Sequence, residues 1–77
     1  MPKLPLVTAS EAIKAFSKAG FVSIHTRGSH HLMRQPQSKR KLSIPLHQSK
    51  PLGKGLLLSL ISDAGLTKEE FIRLLKK

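Results

Sequence analysis

Residues 21–46, FVSIHTRGSHHLMRQPQSKRKLSIPL, decide the fold. Inside them the helical spacing of apolar residues disappears, and three short runs of β-formers replace it at 21–26, 30–34 and 41–46. Arg27-Gly28-Ser29 makes the first reversal and Pro36-Gln37-Ser38-Lys39 the second, because Gly, Pro and Ser favour the backbone angles of tight turns. Strands joined this closely pair antiparallel, as a three-stranded meander. Pro45 has no N–H to give a ladder, so the third strand lies at an edge or ends near that residue.

Helical patterns flank this region. Upstream, Thr8-Ala9-Ser10-Glu11 has the capping-box spacing, and Val7 and Ala12 stand at the staple positions. Ala12, Ile13, Ala15, Phe16 and Ala19 then form an apolar stripe that Gly20 stops. Downstream, after the loop Ser49-Lys50-Pro51-Leu52-Gly53, the residues Leu57, Leu60, Ile61 and Ala64 fall at i, i+3, i+4 and i+7, with Gly65 as the stop. Thr67-Lys68-Glu69-Glu70 repeats the box and Leu66 with Phe71 repeats the staple, which predicts a third helix from 68 toward 76. The expected order is αβββαα: an α+β fold, with the three-stranded antiparallel sheet packed on helices in a single domain over residues 1–77.

The chain has 77 residues and no Cys, so its small core must hold by packing, without disulfides or thiolate metal sites. The Met1 to Val7 segment, broken by Pro2 and Pro5, is too short for the apolar stretch of a signal peptide. The longest apolar run is Leu56-Leu57-Leu58, far below a bilayer span. A soluble, cytoplasmic protein is expected, with no membrane partner.

The net charge of +10 is concentrated in the middle. Residues 27–54 contain Arg27, Arg34, Lys39, Arg40, Lys41, Lys50 and Lys54 and no Asp or Glu. Such a stretch is the footprint of a polyanion partner rather than of a merely solvated surface, and charge alone fits RNA, DNA and anionic lipid alike. With no Tyr or Trp, and with Phe16, Phe21 and Phe71 assigned to the core, base stacking is a poor basis for binding. Contacts to phosphates and to shape point to double-stranded or structured RNA.

The chain has four carboxylates, two of them in the cap of the last helix, so a two-carboxylate site for a hard divalent cation is difficult to build. His30 and His31, adjacent on a strand, point to opposite faces and cannot chelate together. Zinc held by three of the four histidines is what composition leaves open; the expectation is no metal and no cofactor. His30 follows the Gly28-Ser29 turn between Arg27 and Arg34. Metal-free RNA cleavage needs a base for the 2′-hydroxyl proton and cations for the phosphate, and an imidazole exchanges a proton near neutrality. The alternative for His30 is a turn histidine bonded to backbone. His31 shares a face with Met33 and His30 shares the other with Leu32; one of these faces packs on the helices, and alternation does not say which. His25 reads as a plain surface histidine. His47 precedes a loop with Lys50, Gly53 and Lys54 that runs into a helix N-terminus, so it either contacts phosphate or simply fixes the loop. Gly53-Lys54-Gly55 lacks the spacing of a P-loop.

The ordered set Leu4-Pro5, Ala19-Gly20-Phe21, Arg27-Gly28-Ser29-His30-His31, Ile44-Pro45-Leu46-His47, Gly53-Lys54-Gly55, Ala64-Gly65-Leu66-Thr67 and Glu70-Phe71 resembles the HicA family of toxin–antitoxin mRNA interferases. The resemblance implies a fold similar to the double-stranded-RNA-binding domain, His30 as the catalytic residue, cleavage without a metal, and a HicB-type antitoxin that covers the active site. The expected site is therefore His30 for catalysis, with Arg27, Gly28, Ser29, Arg34, Lys39, Arg40, Lys41, His47 and Lys54 contacting mRNA. The rival readings are a non-catalytic module for double-stranded or structured RNA and, more distantly, a basic assembly protein of a ribonucleoprotein. One departure from the family pattern lies after Gly55, where Leu56 and Leu58 flank the core stripe; exposed, they would make an apolar patch suited to a partner.

Overall fold

The computed structural model describes residues 4–46 and 50–76. Its elements are α1 (Ala9–Lys18), β1 (Val22–Arg27), β2 (His30–Gln35), β3 (Arg40–Pro45), α2 (Lys54–Asp63) and α3 (Lys68–Lys76), in the predicted order αβββαα. The strands form one antiparallel sheet with β2 in the centre. Pro45 is the last residue of the edge strand β3, where the missing N–H does no harm.

Both predicted capping boxes are present. The Thr8 N–H donates to Glu11 Oε1 at 3.0 Å and the Glu11 N–H returns a bond to Thr8 Oγ1 at 3.3 Å. At α3 the Thr67 N–H donates to Glu70 Oε1 at 2.9 Å, and the Glu70 N–H donates to Thr67 Oγ1 at 3.1 Å. Each box satisfies N-terminal donors that a helix leaves unpaired.

The helices cover one side of the sheet. Met33 of β2 and Leu42 and Ile44 of β3 are buried, in one cluster with Phe16 of α1, Leu57, Leu60 and Ile61 of α2 and Phe71 of α3. Phe16 is the aromatic hub, edge-on to Phe21 at 5.9 Å and tilted against Phe71 at 5.1 Å between ring centroids. No residue of β1 is buried. The helix layer therefore lies over β2 and β3, and β1 extends past it.

Gly65 ends α2 at a φ of +75°, the Leu66 N–H reaching the Ile61 carbonyl and the Gly65 N–H the Ser62 carbonyl in a Schellman stop. A Cβ there would stand 2.9 Å from Cζ of Arg40, whose guanidinium lies across the stop. Gly65→Ala should cost about 1–2 kcal/mol in urea unfolding from the left-handed backbone, and the double change with Arg40→Ala should recover the steric part. A second prediction concerns acid. The backbone N–H of Thr8, and then its side chain, hold the Glu11 carboxyl below its ordinary value of 4.5. A depressed carboxyl contributes stability that is complete above its unfolded pKa and lost as pH falls through its folded one. Below pH 4.5 the thermal midpoint should thus fall more steeply for the native protein than for Glu11→Gln.

Candidate active site on the open sheet face

Alternation along β2 is settled by Met33, which is fully buried. His31 and Gln35 share its side and face the helices, while His30, Leu32 and Arg34 face away. Across β3, His30 stands opposite Pro45, Leu32 opposite Ser43 and Arg34 opposite Lys41, so these residues share the open face.

On β1 the alternation is interrupted. Ser23 stands opposite Met33, but the next partner, Leu32, faces His25 rather than Ile24, so one residue is inserted as a bulge. Ser23 and Thr26, three residues apart, consequently lie on the same helix-side face, and both bond the same imidazole. Ser23 Oγ is 2.9 Å from Nε2 of His31 and Thr26 Oγ1 is 3.2 Å from Nδ1. A regular strand would send these two hydroxyls to opposite faces. His31 is therefore the satisfied histidine of the pair, tying β1 to β2 where β1 overhangs the helices. The bulge also sends His25 to the open face, a placement that regular alternation from Phe21 does not give.

The open face carries three cross-strand rows: Arg27, His30 and Pro45; His25, Leu32 and Ser43; Val22, Arg34 and Lys41. His30 is exposed and sits at the top of the central strand. Gly28 takes a φ of +60° and Ser29 an ordinary one, the pattern of a two-residue type II′ hairpin closed by Arg27 and His30. The Ser29 carbonyl accepts the Leu46 N–H at 2.6 Å, so the turn is held from the β3 side as well. An imidazole so mounted has a fixed backbone, open solvent access and a guanidinium-bearing residue directly opposite, at about 5 Å between backbones.

The other expected RNA contacts divide. Arg34 and Lys41 face each other in the third row, an arrangement of like charges that destabilises a sheet unless an anion lies over it. Four residues along β2 from His30, they lie about 13 Å from it, in reach of a different phosphate. Arg40 is on the helix side, its Nη1 donating to the Asp63 carbonyl at 3.1 Å, and so is not brought together with His30. Lys39 is in the distal hairpin with a φ of 62°, its N–H donating to the Gln35 carbonyl at 2.7 Å. Lys54 is the exposed first residue of α2, whose N-cap Gly53 offers no side-chain bond. His47, expected to touch phosphate, lies outside the described residues. Leu56 and Leu58 are 38% and 36% exposed. Two positions apart on a helix, they occupy opposite flanks of the buried stripe and do not form the single apolar patch that their sequence suggests.

A family model for the HicA toxin of bacterial toxin–antitoxin systems matches residues 9–66 of the 77-residue chain. The chain belongs to the HicA toxin family. The HicA match takes in α1, the whole sheet and α2 with its glycine stop, and so includes every residue of the open face. Only α3 and the segments at the two ends fall outside it. No curated protein matches the chain. No helix among the described residues is long and apolar enough to cross a membrane.

Arg40 and Lys41, adjacent in sequence, should respond differently to truncation. Lys41→Ala should reduce the slope of log affinity for RNA against log salt by about 1 with little change in thermal midpoint. Arg40→Ala should cost about 1 kcal/mol of stability in urea unfolding and leave that slope nearly unchanged.

Proposed function

We propose that the protein is the toxin of a toxin–antitoxin pair that cleaves mRNA as a metal-independent endoribonuclease, with His30 as its general acid/base. The observation that carries this reading is the placement of His30: exposed, on the central strand, opposite Arg27, on the cationic face of a HicA-family chain.

Arg27 and the Gly28-Ser29 turn hold the scissile phosphate, glycine permitting close approach of backbone to it. His30 removes the 2′-hydroxyl proton, the 2′-oxygen attacks phosphorus, and the guanidinium offsets the charge that develops on the phosphoryl oxygens. Arg34, Lys41, Lys39 and Lys54 bind phosphates farther along the strand and His47 adds a further contact, whereas Arg40, expected from sequence to join them, is turned to the helix side and is spent on the Asp63 carbonyl. The scarcity of carboxylates supports chemistry without a divalent cation. The partner is a HicB-type antitoxin that covers this face, in a single-domain toxin acting in the cytoplasm on structured RNA.

A non-catalytic RNA-binding module is favoured by one observation, the cross-strand pairing of Arg34 with Lys41, two cations suited to a phosphate and with no group for proton transfer. One assay separates the readings. Purified protein in EDTA should cut RNA, and His30→Ala should bind RNA normally but cut it at least about 100-fold more slowly. Salt-sensitive binding without scission supports the binding module; equal cutting by both proteins, or loss of native cutting on chelation, removes the proposed mechanism. Induction in cells should arrest growth with His30 present and not with Ala in its place.

A further inference from the structure

The open-face rows bring a second imidazole to His30. His25 stands opposite Leu32 and Arg27 opposite His30, so these four residues make a square in which the two histidines are diagonal and Arg27 occupies a corner between them. Diagonal partners of an antiparallel pair are about 7–8 Å apart between backbones, within reach of side chains as long as imidazole. The fourth corner is half-buried Leu32, which gives the square an apolar floor. His25 and His30 are both exposed.

Transfer of a phosphoryl group from the 5′-oxygen to the 2′-oxygen proceeds in line, so the attacking and leaving oxygens lie on opposite sides of phosphorus. One side needs a proton acceptor and the other a proton donor. A phosphate over this square has an imidazole on each side and a guanidinium beside its non-bridging oxygens. We propose that His25 is the general acid of the cleavage, protonating the leaving 5′-oxygen while His30 deprotonates the 2′-hydroxyl. The proposal rests on the ribonuclease reading of His30 and adds the group that completes the proton transfers. The 2′-O–P bond forms as the P–O5′ bond breaks. His30 gains the proton of the 2′-hydroxyl and His25, entering as imidazolium, gives one to the 5′-oxygen. The products are a 2′,3′-cyclic phosphate and a free 5′-hydroxyl, with no co-reactant consumed. The charged and titratable groups that share the face with His25 are Arg27, His30, Arg34 and Lys41.

The bulge is what makes this arrangement. Paired in the register that Ser23 and Met33 begin, Ile24 would stand opposite Leu32 and His25 opposite His31, under the sheet. Inserted residues in strands re-aim side chains and are frequent beside active sites. Here the re-aimed side chain is an imidazole, delivered to the square that contains the proposed base.

Leaving-group rescue tests the assignment. Native protein, His25→Ala and His30→Ala are compared on an RNA and on the same RNA with a sulfur in place of the bridging 5′-oxygen, since a thiolate leaves without a proton. Circular dichroism and RNA affinity serve as checks that each variant is folded and binds. His25→Ala should be about 100-fold slower on ordinary RNA and return to within severalfold of the native rate on the sulfur substrate. His30→Ala should remain slow on both, because attack still needs the base. Native-rate cleavage of ordinary RNA by His25→Ala, or the same deficit on both substrates, overturns the role of His25 while leaving that of His30 intact. Rescue of His30→Ala in place of His25→Ala overturns the assignment of roles. Undiminished cutting by His30→Ala, or none by the native protein, removes the underlying ribonuclease reading and this inference with it.

Discussion

Burial of Met33, Leu42 and Ile44 in the core beneath the helix layer is the constraint on which the open face depends. Side chains on a strand alternate with period two, so a slip of one residue in β2 would put Met33 into water and His30 beneath the helices. With Met33 and Ile44 at 0% exposure and Leu42 at 2%, that slip would forfeit most of the sheet's contribution to the core. Fully burying one such side chain is worth about 1.5–3 kcal/mol, a large fraction of the stability of a small domain. The core thus fixes the open face indirectly: His30, Arg34 and Lys41 point outward because their neighbours are held inward.

The helix layer does not extend over β1, and this overhang explains the chemistry found there. Ser23, Thr26 and half-buried His31 occupy the side of the sheet that would otherwise require apolar residues, and they satisfy one another through two bonds to a single ring. Those bonds hold the strand that carries Arg27 and His25, and they are compatible only with an inserted residue between Ser23 and Thr26. The open face is arranged at some cost to stability. Arg34 beside Lys41 is a repulsive pair, and the exposed Val22 and Ile24 contribute little to the core. A surface that binds an anion recovers the cost of the cation pair when the anion arrives.

Most of the architecture was legible from local chemistry. The capping boxes at Thr8 and Thr67, the stops at Gly20 and Gly65, the apolar stripes and the two reversals act within a few residues of themselves, and the structure has elements in that order with shifts of a residue or so at strand ends. The candidate site was legible in part. Gly28-Ser29-His30 marked the hairpin, and the acid-free run from Arg27 to Lys54 marked the charged surface. Adjacency in sequence, however, placed Arg40 with Lys41. Arg40 instead reaches the C-terminal end of α2, because its side of the strand is the helix side and the carbonyls ending that helix accept hydrogen bonds.

By itself the sequence determined the element order, the aromatic core of Phe16, Phe21 and Phe71, the concentration of positive charge between residues 27 and 54 and the position of the one histidine next to the turn. These are set by periodicity, capping and charge, all of which are local or additive. Only the tertiary structure decided which face of β2 is open, which of His30 and His31 is spent on hydrogen bonds, and that His25 lies with His30 rather than beneath the sheet. Those outcomes depend on where a helix layer ends and where one extra residue is accommodated in a ladder. Both follow from packing between segments far apart in the chain, for which strand periodicity carries no signal.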